Sequence, residues 1–155
     1  MAACVFCSII TGESSAQVVF RDDAAIAFLD IRPLFPGHVL LTPLEHHETL
    51  ADLPPDQIQP LFARAQRLSA LMESEMGAAG SFVAMNNRIS QSVPHLHVHV
   101  VPRSRKDGLR GFFWPRTGYD SDGHAAATAS RLAAAWSAAG PLAARSDARR
   151  REDDD

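Results

Sequence analysis

The run Ser92–Arg103, SVPHLHVHVVPR, limits what this chain can fold into more than any other segment. His95, His97 and His99 take alternate positions, with Leu96, Val98 and Val100 between and after them. Successive side chains of a β-strand point to opposite faces, so the alternation reads as one half-buried strand. Its apolar set enters a core, and its three imidazoles share the other face. A lone strand histidine is ordinary. Three in register point to chemistry: either a metal cluster, or an imidazole nucleophile with supporting histidines.

The rest of the chain sorts into elements around that strand. A short helix is predicted over residues 5–11, ending at Gly12. QVVFR (17–21) and AIAFLD (25–30) are apolar runs parted by Asp22-Asp23, which reads as a hairpin. HVLLTP (38–43) follows the turn formers Pro36-Gly37 and is a third strand. SFVAMN (81–86) and PHLHVHVVP (94–102) are the fourth and fifth. Ile58, Leu61, Phe62, Ala65, Leu68, Met72 and Met76 recur at helical spacing. They predict one long helix from about residue 56 to residue 76, with Gly77 as its stop. Pro60 must then lie near the first turn or kink the helix. Residues 103–123, rich in Arg, Gly and aromatics, read as a structured loop, and the Ala-rich 125–139 as a C-terminal helix. Residues 145–155 end in Glu-Asp-Asp-Asp and read as a disordered charged tail. There is no internal repeat. Five short strands with one long helix give an α+β fold on an antiparallel sheet, as a single domain over residues 1–144.

Charge and cysteine usage narrow the function. A net charge of -3 argues against the broad basic face that nucleic-acid binding needs. No apolar stretch is long enough to span a membrane, and no signal peptide is read, so the expected compartment is the cytoplasm. The only cysteines are Cys4 and Cys7, in CVFC. In a reducing compartment such a pair is a metal half-site or a redox pair. A redox motif normally follows a strand, and only three residues precede Cys4. A metal would need two further ligands, which the histidines must supply.

In combination, HLHVHVV, CVFCSIITGE, AFLDIRPLFPGHVLLTPLEHH and the VPR after the triad resemble the histidine-triad (HIT) family of nucleotide hydrolases and transferases. The resemblance runs to about residue 104. It implies a HIT-like fold: a five-stranded antiparallel sheet with a long helix, doubled into a homodimer. It implies that His97 attacks the α-phosphorus of a purine nucleotide and forms a covalent nucleotidyl-histidine, which water hydrolyses. The backbone carbonyl of His99 is expected to hold the tautomer of His97, and His38 to be a further active-site histidine. Gln91 and Ser92 correspond to phosphate donors, although Ser90 replaces a usual glycine and the loop from Asn86 to Gln91 is short. Asp30 matches the acid that binds ribose hydroxyls. Phe6, Ile9, Ile31 and Leu40 match the walls of the base pocket, and Asn86 is a further candidate nucleotide contact.

The same resemblance, to bacterial zinc-containing members, suggests a structural Zn²⁺ held by Cys4, Cys7, His46 and His95, with His47 as the alternative to His46. Trp114 is a candidate to reach a partner subunit's active site, and Arg103, Arg105, Lys106, Arg110 and Arg116 to meet a polyphosphate. Two substrate classes compete, a nucleoside phosphoramidate and a dinucleoside polyphosphate. The alternative is a non-catalytic nucleotide-binding or scaffold protein; the intact triad and Asp30 favour the enzyme.

Overall fold

The computed structural model describes residues 4–109 and 119–138. Its contacts divide the chain into two compact units, Met1–Asp107 and Gly108–Asp155. In the first unit the order is α1 (Val5–Thr11), β1 (Val18–Arg21), β2 (Ala25–Leu29), β3 (Val39–Pro43), a 3-10 turn (Leu50–Asp52), α2 (Pro55–Ser74), β4 (Gly80–Ala84) and β5 (Val98–Arg103). The strands form one antiparallel sheet in the order β1-β2-β3-β5-β4. The fold is α+β, as the element pattern predicts.

Local chemistry accounts for the joints. Asp22 Oδ1 accepts the N–H groups of Ala24 and Ala25 at 3.0 Å, closing the β1–β2 turn. Gly12 takes φ +82° and donates its N–H to the Ile9 carbonyl, ending α1. Helix α2 runs through Pro60, which sits past its first turn. In the second unit, α3 spans Asp122–Ala138, beginning three residues before the expected 125 because Ser121 Oγ accepts the N–H of His124 at 3.1 Å. Residues 110–118 and 139–155, including Arg110, Trp114, Arg116 and the charged tail, lie outside the described residues. Among the described residues no helix is long and apolar enough to cross a membrane.

Strand alternation splits the core into two layers, one on each face of the sheet. Ala25, Ala27, Val39, Leu41, Val98 and Val100 pack against Leu61, Ala65, Leu68 and Met72 of α2. Those helical positions follow the i, i+4, i+7, i+11 spacing of one face. On the opposite face Ile26, Phe28 and Leu40 meet Phe6 of α1. Each fully buried leucine or phenylalanine contributes about 1.5–3 kcal/mol. The side chains of β5 that point away from α2 therefore emerge beside α1, which is where the site forms.

Candidate active site and metal centre

The polar residues of the site sit just beyond strand ends. Asp30 follows β2, His38 precedes β3, and His95 and His97 precede β5, although sequence alternation places both histidines inside the strand. Ladder pairing between β3 and β5 extends only to Leu41 opposite Val98. Beyond it the buried Thr42 hydroxyl takes over, donating to the Leu96 carbonyl at 2.7 Å, while the Leu96 N–H turns away to the His47 carbonyl at 2.6 Å. The alternation persists even so. Leu96, Val98 and Val100 are fully buried on the α2 side, and His97 and His99 lie with ring centroids 4.9 Å apart.

Hydrogen bonds assign the proton on each ring. His97 Nδ1 lies 2.7 Å from the His95 carbonyl, an obligate acceptor, so Nδ1–H donates and Nε2 keeps its lone pair. The carbonyl at that position is that of His95, not that of His99. The nearer Leu96 carbonyl is already taken by the Thr42 hydroxyl. His38 Nδ1 accepts the Leu34 N–H at 3.1 Å, so the His38 proton sits on Nε2 and donates to His99 Nδ1 at 2.9 Å. His99 is left with Nε2–H. Burial, followed by the neighbouring His97 and His38, pushes the His99 pKa down to about 4, and burial lowers that of His38 as well. Both rings are neutral at pH 7. Asp30 Oδ2 lies 3.7 Å from His38 Nδ1, too long for a hydrogen bond, and the Leu34 N–H already fills that lone pair.

His97 and His99 open into a cavity of about 290 Å³ whose lining also includes Phe6, Ile9, Asp30, Ile31, Leu40 and Ser92. Phe6 meets the His97 ring edge-on at 5.2 Å. Asp30 Oδ1 accepts the Arg32 N–H at 2.8 Å, leaving its other oxygen without a hydrogen bond among the described residues. Phe28 and Val93 line the cavity too. Phe28 was legible in the sequence, since it lies two residues before Asp30 on the face β2 turns to α1; Val93 carried no such signal. His38 stands behind His99 rather than in the lining.

Gln91 and Asn86 are not brought to the cavity. Gln91 Oε1 accepts the Arg88 N–H and Nε2 donates to the Glu48 carbonyl, both at 2.6 Å, while Asn86 Nδ2 donates to the Ser90 carbonyl at 3.2 Å. Both amides bond within the loop or to the segment after His46. Ser90 stands at φ +59°, the left-handed region, where glycine costs least. Arg103 is held by Asp107 through two hydrogen bonds, at 2.5 and 3.0 Å.

On the other side of the triad, Cys4, Cys7, His46 and His95 bring one ligand atom each to within 4.8 Å of all the others. His46 Nδ1 lies 3.3 Å from Cys7 Sγ, and His95 Nδ1 lies 3.5 and 3.6 Å from the two sulfurs. Sulfur and nitrogen ligands of a tetrahedral zinc stand about 3.5 Å apart, so the spacing fits one ion. His95 Nε2 lies 3.1 Å from the Pro43 carbonyl, which fixes Nδ1 as the free ligand atom. Burial and the adjacent Cys4 raise the Cys7 pKa, a penalty that a bound cation reverses. His47 takes no part: its Nε2 is 3.4 Å from Glu45 Oε2. Asp30, His38 and His99 also cluster, but His38 and His99 bond to each other.

The family model described as the HIT domain matches residues 11–106. The chain belongs to the HIT family. An uncharacterized HIT-like protein of Methanocaldococcus jannaschii is 37% identical over 107 residues, 68% of this HIT chain and 82% of that protein. Adenylylsulfatase HINT3 of Arabidopsis thaliana is 33% identical over 108 residues, 68% of this chain but only 55% of the relative. A zinc-bound histidine triad family protein of Mycobacterium smegmatis superimposes with a TM-score of 0.66 at 33% identity, covering 88% of this chain and 97% of that one.

Proposed function

We propose that this HIT protein is a nucleotide hydrolase or transferase acting through a covalent nucleotidyl-histidine on His97. The observation that carries the reading is the His97 Nδ1–H bond to the His95 carbonyl, because it leaves a neutral Nε2 lone pair open to the cavity. Asp30 accepts hydrogen bonds from the ribose hydroxyls of a purine nucleotide, and Phe6, Ile9, Ile31 and Leu40 enclose the base. His97 Nε2 attacks the α-phosphorus and the bond to the leaving group breaks. The leaving group departs with the bonding electron pair and takes its proton from water, while His99 Nε2–H donates a hydrogen bond to the departing atom and the Ser92 hydroxyl donates to the phosphoryl oxygens, stabilising their charge. Water then attacks the adduct, returning His97 to its neutral form.

The adenylylsulfatase among the relatives supports an activity at the α-phosphate. The Cys4, Cys7, His46 and His95 set fits a structural Zn²⁺, which when bound pins α1 to the segment before β5. No substrate contact is assigned to it.

The test is His97→Ala. Turnover of adenylyl sulfate and of adenosine 5′-phosphoramidate should fall by on the order of 10⁴-fold or more. Binding of AMP should survive, since Asp30 and the apolar walls are untouched. Rapid-quench mass spectrometry of the native enzyme should show an adenylyl group on the peptide containing His97. Near-normal turnover in the variant, or an adduct elsewhere, sinks the assignment.

A further inference from the structure

The loop between β4 and the triad contains two non-glycine residues in the left-handed region, Arg88 at φ +70° and Ser90 at φ +59°. Such conformations persist where surrounding contacts over-determine them. Three hydrogen bonds do so, and all end on residues 47–50. Gln91 Nε2 donates to the Glu48 carbonyl at 2.6 Å, Asn87 Oδ1 accepts the Leu50 N–H at 2.7 Å, and the Leu96 N–H donates to the His47 carbonyl at 2.6 Å. That platform is itself rigid, because Asp52 Oδ2 accepts both the hydroxyl and the N–H of the buried Thr49 at 2.6 and 3.0 Å. Gln91 also holds the loop together internally, accepting the strained Arg88 N–H at 2.6 Å. Each end of its carboxamide makes one hydrogen bond, and Gln91 is absent from the cavity lining while the next residue, Ser92, is in it.

We infer that Gln91 is a positioning residue that clamps the catalytic loop to the segment after His46, rather than a ligand of the substrate. By fixing both ends of the loop it sets where Ser92 stands relative to His97. A residue acting this way lowers turnover by the same factor whatever group departs, because it never touches that group. The kinetic arm of this inference rests on the reading of His97 as nucleophile.

The experiment compares Gln91→Ala with Asn87→Ala, which removes a second strand of the same clamp. Both are measured on AMP derivatives with an amine, a sulfate and a pyrophosphate leaving group. Gln91→Ala should lower kcat about ten- to a hundredfold with KM unchanged, equally for all three. Asn87→Ala should lower kcat in the same leaving-group-independent way. A loss that differs strongly among leaving groups, with Asn87→Ala silent, places Gln91 on the substrate and overturns the clamp. Full activity of Gln91→Ala overturns it too. Amide hydrogen exchange supplies an arm independent of catalysis. In Gln91→Ala, residues 86–92 should exchange faster while the sheet exchanges as before; unchanged exchange in the loop rules the clamp out. If the native protein turns over none of the substrates, the nucleophile assignment falls and the exchange result alone decides the clamp.

Discussion

Burial decides the protonation state of His99. The ring is partly buried between His97 and His38, which holds its pKa near 4 against an ordinary 6.5. As pH falls from 6.5 towards 4 the unfolded chain binds a proton at this residue and the native chain does not. Stability is therefore lost on acidification across that window, and His38 is displaced in the same direction. Urea unfolding at pH 7 and pH 4.5 should show a clear drop in the midpoint, and His99→Gln should make the drop smaller. An equal drop in both proteins refutes the linkage. The identity of these residues was legible from the spacing of HLHVHVV. Their tautomers were not, because those depend on the Leu34 N–H and the His95 carbonyl, two backbone groups that no side-chain pattern reveals.

Element boundaries were the least legible feature, and the site lives there. Alternation continues through Pro94–His97, so the sequence reads as strand, yet the backbone groups of Leu96 bond to a side chain and to a loop. The turn that delivers His38 shows the opposite case, where one residue announces itself. Gly37 stands at φ +96°, and a Cβ there lies 2.8 Å from the Met76 Cε and 3.3 Å from the Pro102 Cγ. Backbone conformation and close approach both demand glycine. Gly37→Ala should cost about 1–3 kcal/mol by strain and overpacking. It should also lower kcat, because His38 follows directly and orients His99. Chemical denaturation giving native-like stability, together with full activity, would show that the turn relaxes around the methyl group.

At the scale of the whole molecule, the residues that could hold a metal are collected from three distant places. Cys4 and His95 are 91 positions apart, with Cys7 and His46 between them. We propose one Zn²⁺ per chain and a homodimer. The second rests on the exposed Ile58, Phe62 and Leu71 of α2. Native mass spectrometry should give the mass of two chains with two zinc ions, and chelation should remove the metal and lower the melting temperature by several degrees. A metal-free monomer of unchanged melting temperature contradicts both.

The α+β architecture follows from local pattern, since period-two alternation and helical spacing need only the neighbours in the chain, and the resemblance of HLHVHVV, CVFC and FLDIRP to the HIT family singles out the residues proposed as nucleophile, metal ligands and ribose acid. Tertiary structure decided which carbonyl holds His97, that His46 rather than His47 joins the cluster, and that Gln91 faces the platform instead of the cavity. Each depends on where a backbone N–H or C=O points after the loop closes. For Gln91 that direction is set by a hydrogen bond to Glu48, 43 positions away, and adjacency in sequence carries no information about it.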